Sequence, residues 1–102
     1  MQKEINIGRI GKFPDFRTTA VDVEGRSVCV ARVGKMFYAF GDTCSHEEAP
    51  LSGLDIEEGM ISCPRHGARF SVANGQALTP PATEPLTMFK IATKGEDVFI
   101  TI

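Results

Sequence analysis

A chain of 102 residues, 42% apolar and 24% charged, has room for one globular domain with a modest core and not for two. Its net charge of -2, with lysines and arginines scattered, argues against nucleic-acid binding, and no apolar run approaches the roughly 20 residues that span a bilayer. Three cysteines, an odd number, fit poorly with a disulfide framework, whereas in a reducing cytosol cysteines near histidines read as metal ligands.

Residues 1–6 carry no charged-then-apolar signal segment, so the chain is expected to stay in the cytoplasm. Beyond them the pattern is one of short strands broken by turns, with no helical stripe. Thr18 to Val23, the turn Glu24-Gly25 and Arg26 to Val33 predict a hairpin. Val28 and Val30 alternate with Cys29 and Ala31, so both faces of the second strand are expected to be buried. Gly34-Lys35 then turns the chain into Met36-Phe37-Tyr38-Ala39-Phe40. Near the end, Leu86 to Ala92 and Asp97 to Ile102 flank Lys94-Gly95-Glu96 as a second hairpin, with Val98, Ile100 and Ile102 on one face. Several short strands at this spacing predict an all-β fold, a sandwich or barrel-like sheet.

The middle differs. From Gly41 to Pro81 the alternation fails and turn formers crowd in, among them Pro50, Gly53, Gly59, Pro64, Gly67, Asn74-Gly75 and Pro80-Pro81. Met60-Ile61 and Ala68 to Val72 can form only small strands. A loop-rich insert of this length, about residues 41–82 of one domain spanning 1–102, is usually functional.

Both histidines of the chain and two of its three cysteines lie in that insert, as Cys44-Ser45-His46, sixteen further residues, and Cys63-Pro64-Arg65-His66. Thiolate and imidazole suit zinc or iron–sulfur chemistry. Zinc fingers usually pair Cys with Cys and His with His, at wider gaps. One Cys and one His per loop, with a single residue between the first pair, suits a binuclear cluster with an Fe(Cys)₂ end and an Fe(His)₂ end. A structural zinc site in an interaction module is the alternative from another class. Pro64 and Gly67 are expected to set the loop backbone, and Cys29 reads as a small buried hydrophobe.

The pattern C-x-H…C-P-x-H-G resembles that of Rieske-type [2Fe–2S] ferredoxins, above all those serving bacterial aromatic-ring-hydroxylating dioxygenases. The likeness continues through Pro50-Leu51-Ser52-Gly53, Arg69-Phe70, Asn74-Gly75 and the run Ala77 to Leu86, which resembles the family's proline-rich loop over the cluster. It covers nearly the whole chain. The resemblance implies a [2Fe–2S] cluster on Cys44, His46, Cys63 and His66, bound by the histidines through Nδ1 with Nε2 at the surface. It further implies a soluble one-electron carrier without catalysis of its own, passing electrons from a flavin-dependent NAD(P)H reductase to a terminal oxygenase. A monomer is expected. A nitrite reductase small subunit, or the donor of another monooxygenase, would look much the same. High-potential relatives have a disulfide between the loops and a serine and tyrosine near the sulfurs; by the resemblance those positions fall on Ala49 and Arg65, which cannot form the bridge, and on Ala68 and Phe70, which have no hydroxyl. Glu47, Glu48, Glu57 and Glu58 read as a solvated face, or alternatively as an acidic docking rim. Arg65 and Arg69 could tune the cluster or touch a partner.

Overall fold

Turn chemistry sets the strand pairing. The computed structural model describes residues 3–42, 51–63, 69–78 and 86–102. Among these are eight strands: β1 (Glu4–Arg9), β2 (Arg17–Val23), β3 (Arg26–Val33), β4 (Met36–Gly41), β5 (Met60–Ser62), β6 (Arg69–Ser71), β7 (Met88–Lys94) and β8 (Asp97–Thr101), with one 3-10 turn at Ile10–Lys12. Glu24 and Gly25 both take positive φ, 52° and 82°, as a two-residue turn matched to the strand twist requires. Val23 therefore pairs directly with Arg26 and fixes the β2–β3 register. Lys94 likewise pairs with Asp97, so the last turn is one residue tighter than the sequence suggests.

Six strands form one antiparallel sheet in the order β1-β8-β7-β4-β3-β2, and β5 and β6 form a separate pair. The sheet joins its two halves at only two residue pairs, Ala39 with Phe89 and Phe40 with Met88. Its edge strands β1 and β2 come back into contact, so it curls into a partly open barrel. Ile7, Val23, Val28, Val30, Phe37, Ala39, Val98 and Ile100 fill the interior. Phe13 closes it, its ring edge-on to Phe37 at 5.8 Å between centroids. The all-β expectation holds, and Val98 and Ile100 do share the core face, with Ile102 half-buried beside them. No helix among the described residues is long and apolar enough to cross a membrane.

The first strand is absent from the sequence expectation. Ile5 and Ile7 alternate with Glu4 and Asn6, but the register slips between Asn6 and Gly8, and that bulge ends the alternation after two apolar residues. β1 is nonetheless pinned at its start, where Lys3 and Ile102 exchange backbone hydrogen bonds of 2.7 and 2.9 Å.

On the other face of β3 and β4, Cys29, Ala31 and Phe40 are buried in a second core with Leu51, Ile56, Ile61, Cys63, Phe70, Val72 and Leu86. The expected burial of both faces of β3 is thus observed. The insert covers the outer face, and Thr18 holds it there. Thr18 is 2% exposed, the one buried polar residue found among the described residues. Its hydroxyl donates to the Leu51 carbonyl at 2.7 Å and accepts from Leu54 N–H at 2.9 Å. Its backbone N–H donates to the Leu54 carbonyl at 2.9 Å, and its carbonyl accepts from Gly53 N–H at 2.8 Å. Nearby, the Arg17 guanidinium donates to the Gly53 carbonyl and pairs with Asp55, but that pair is exposed and adds little.

Replacing Thr18 by valine keeps the shape and removes the hydroxyl, leaving Leu54 N–H without its acceptor. A loss of about 1–3 kcal/mol is expected for a stranded buried polar group. Each kcal/mol should lower the melting temperature of a domain this size by about 4–8 °C. Thr18→Ser should recover most of that loss. Thermal unfolding followed by circular dichroism checks both, and a valine variant melting at the wild-type temperature would contradict the assignment.

Candidate metal centre

The second core gathers described residues that border the insert's loops. β4 ends at Gly41, Asp42 follows it, and the next described residue, Leu51, has no exposed surface. Asp42 Oδ1 accepts from Leu51 N–H at 2.9 Å, so the two residues flanking 43–50 are bonded to each other. The β5–β6 pair runs from Met60 opposite Ser71 to Ser62 opposite Arg69. Cys63 follows at once, 1% exposed, with its thiol in no disulfide. Residues 64–68 lie between it and β6. Beyond β6, Ala77 bridges back to Phe70 and Leu78 N–H donates to the Arg69 carbonyl at 2.8 Å. Leu86 N–H then donates to the Gly75 carbonyl at 2.7 Å. Gly75 has φ +72°, and a Cβ there would stand 2.7 Å from Met88 Sδ and 2.9 Å from the Leu86 carbonyl, so only glycine fits the junction. Leu51, Cys63 and Leu86, which border segments 43–50, 64–68 and 79–85, therefore sit with Phe70 in one apolar cluster.

Of the four expected ligands the structure places Cys63. Cys44, His46 and His66 lie outside the described residues, as do Glu47, Glu48, Ala49, Arg65 and Ala68 and the Pro80-Pro81 run. Cys63 fits the group the sequence points to. It stands just after β5, buried in the core that also holds Leu51, and is one of the two thiols and two imidazoles that the sequence offers as candidate donors. Phe70, paired with Ile61, is fully buried in the same core and has no hydroxyl to offer a sulfur.

Cys29 is in that core too, but with a different character. It is fully buried, and its thiol donates to the Leu51 carbonyl at 3.5 Å. Burial first, and then the negative charge of Asp42, push the thiol up to about 12, while a hydrogen bond with Thr18 opposes them. A neutral thiol is a poor ligand. The reading as a small buried hydrophobe holds.

Glu57 and Glu58 are exposed on the tight turn into β5, where Glu58 takes φ 53°. With Asp55 and Arg69 they line a surface pocket that also includes Leu54, Met60 and Ser62. Sequence reasoning missed the anchoring of the insert by Thr18 and Asp42. A threonine opening a strand and an aspartate after a glycine are read as strand and turn residues, and only the fold brings them to Leu51.

Residues 4–90 match the family model of the Rieske [2Fe–2S] domain. The chain belongs to that family. It is 40% identical over 76 residues to the 3-phenylpropionate/cinnamic acid dioxygenase ferredoxin subunit of Shigella boydii serotype 4, a match covering 74% of this chain and 72% of that one. Among solved structures it is similar to the ferredoxin of carbazole 1,9a-dioxygenase from Nocardioides aromaticivorans IC177, with 29% identity, a TM-score of 0.89 and 96% of each chain covered. It is also similar to a chain in the complex of reduced oxygenase and oxidized ferredoxin in carbazole 1,9a-dioxygenase, with 32% identity, a TM-score of 0.87 and coverage of 95% and 91%. The cofactor of this Rieske domain is a [2Fe–2S] cluster, and the protein is an electron-transfer ferredoxin, not an enzyme in its own right.

Cys29 and the surface can be told apart chemically. In the folded protein at pH 8, iodoacetamide should leave Cys29 unmodified by mass spectrometry and label it once the chain is denatured. Because the folded thiol titrates far above the unfolded value of about 8.5, its stabilisation is complete below that pH and fades as pH climbs towards about 12. Denaturation midpoints should therefore fall less steeply between pH 9 and pH 11 in Cys29→Ala than in the wild type.

Proposed function

We propose that Cys44, His46, Cys63 and His66 hold the cluster, the two cysteines on one iron and the two histidines on the other. The reading takes residues 1–102 as a single domain whose insert, about 41–82, presents the cluster. The observation that carries it is Cys63, a buried thiol at the end of β5 on the same core as Leu51, which follows the segment bearing Cys44 and His46. When bound, the cluster supplies one-electron redox chemistry. The chain's own part is to supply the ligands and to keep water from their base with Leu51, Phe70 and Leu86. The protein works as a cytoplasmic monomer, taking electrons from a flavin-dependent NAD(P)H reductase and passing them to the terminal oxygenase of a ring-hydroxylating dioxygenase. Support for the oxygenase as partner comes from the carbazole 1,9a-dioxygenase relative, whose structure is a complex of oxygenase and ferredoxin.

Elemental analysis should find two irons and two acid-labile sulfides per chain. Replacing His46 or His66 by alanine should empty the site and unsettle the insert, because ligand binding and folding are coupled. One zinc and no iron in the purified protein would sink the ligand assignment. In stopped-flow mixing, an NADH-reduced flavin reductase should bleach the visible bands and a Rieske oxygenase with its aromatic substrate should restore them. A ferredoxin inert to both partners would return the partner assignment to the nitrite reductase or monooxygenase alternatives.

The reduction potential should lie towards the low end of the Rieske range, near about −150 mV. Hydrogen bonds to the sulfurs favour the more negative, reduced state. Each is worth roughly 1 kcal/mol, on the order of 40 mV for one electron. Ala68 and Phe70 offer none. Protein-film voltammetry should give a midpoint nearly flat with pH around neutrality, and Ala68→Ser should raise it by tens of millivolts (~40 mV per bond). A wild-type midpoint above zero would contradict the argument.

A further inference from the structure

We propose that Asn74 is a modification site: it deamidates spontaneously, the folded turn holds it latched, and opening of the turn sets the reaction free. The chain has two asparagines, and only Asn74 is followed by glycine, which has no side chain to shield its backbone nitrogen. Asn6 precedes Ile7, whose β-branch crowds the same approach. Asn74 is exposed and Gly75 buried, in the turn that leads from β6 to the bridge between Ala77 and Phe70. Three hydrogen bonds fix the pair. Gly75 N–H donates to the Ser71 carbonyl at 2.7 Å, and Ser71 N–H donates to the Gln76 carbonyl at 3.0 Å. Asn74 Oδ1 accepts from Gln76 N–H at 2.9 Å.

The reaction needs only water and base. The Gly75 nitrogen gives its proton to hydroxide and attacks Asn74 Cγ. The new N–Cγ bond closes a cyclic imide as the Cγ–Nδ2 bond breaks, and Nδ2 leaves as ammonia with a proton from water. Water then opens the ring at Cγ to give aspartate, or at the Asn74 backbone carbonyl to give isoaspartate. Nothing is oxidised or reduced. In the fold the first step is blocked, because the Gly75 proton is buried in a short bond to a carbonyl that accepts it without removing it. Gln76 N–H would steady the charge that gathers on Oδ1, but only after the nitrogen has lost its proton. The first step therefore decides.

The two products differ in what they do to the chain. Aspartate keeps the main-chain spacing and still offers Oδ1 to Gln76 N–H. Isoaspartate routes the main chain through Cβ and Cγ and adds one carbon, about 1.5 Å, ahead of Gly75. Gly75 has no slack to absorb it. Its carbonyl is held by Leu86 N–H at 2.7 Å, and even a Cβ would stand 2.7 Å from Met88 Sδ.

The test follows the full chain at pH 8, native or in guanidinium, by peptide mapping and isoaspartyl methyltransferase labelling. In denaturant Asn74 should convert to aspartate and isoaspartate while Asn6 persists, and Asn74→Ser should leave no label. In the native protein conversion should run about a hundredfold slower, the factor set by how seldom the turn opens. Asn74 intact in denaturant would overturn the site, and equal native and denatured rates would overturn the latch. Asn74→Asp should melt within about 4 °C of wild type. Isoaspartate chains, isolated after ageing in urea below the unfolding midpoint and returned to buffer, should melt lower by about 8 °C or more. If they melt with Asn74→Asp, the junction does house the extra carbon and that part of the proposal is wrong.

Discussion

Strands β3 and β4 are apolar on both faces, and a strand pair with two dry faces needs a cover on each. The barrel interior covers one face with Val28, Val30, Phe37 and Ala39. Cys29, Ala31 and Phe40 face outward and can leave water only if other parts of the chain return over them. That requirement, worth about 25 cal/mol for each Å² of apolar surface buried, brings back Leu51, Ile61, Phe70 and Leu86. Loop-rich sequence thereby acquires a fixed base. The same burial that completes the core fixes Leu51 and Cys63, which border the segments bearing the other proposed ligands.

The strands best read from the sequence are those whose turns are local. The β2–β3 and β7–β8 hairpins carry glycine turns and alternating apolar residues, and the small strands β5 and β6 fall within fragments already visible as apolar. Strand order is another matter, because β7 meets β4 through only two residue pairs separated by nearly fifty residues of chain. No periodicity encodes such a meeting. β1 escaped because its bulge at Gly8 cuts short an edge strand with one buried face. At the candidate metal centre, Cys63 stands out in the sequence because thiols and imidazoles at set spacings suit metal ligation. The anchors do not, because a hydrogen bond to the backbone of Leu51 leaves no trace in the spacing of Thr18 or Asp42.

Three cysteines in one small chain raise the question of why the proposed ligands are two of them and not the third. Electrostatics and burial answer for Cys29. Its thiol lies deep against β4, beside a carboxylate, where a thiolate would be both desolvated and repelled. Cys63 is nearly as buried but directly follows the last residue of β5. Position along the strand separates a packing residue from a candidate ligand more sharply than the degree of burial does.

The mutual hydrogen bonds between Lys3 and Ile102 bring the two ends of the described chain side by side across the β1–β8 pair. A unit whose entry and exit coincide behaves as a cassette. It can be spliced into a surface loop of a larger protein through two neighbouring junctions, with no strand cut and no core opened. Its redox centre would travel with it, so the same architecture can serve as a free shuttle or as a built-in module of a larger assembly.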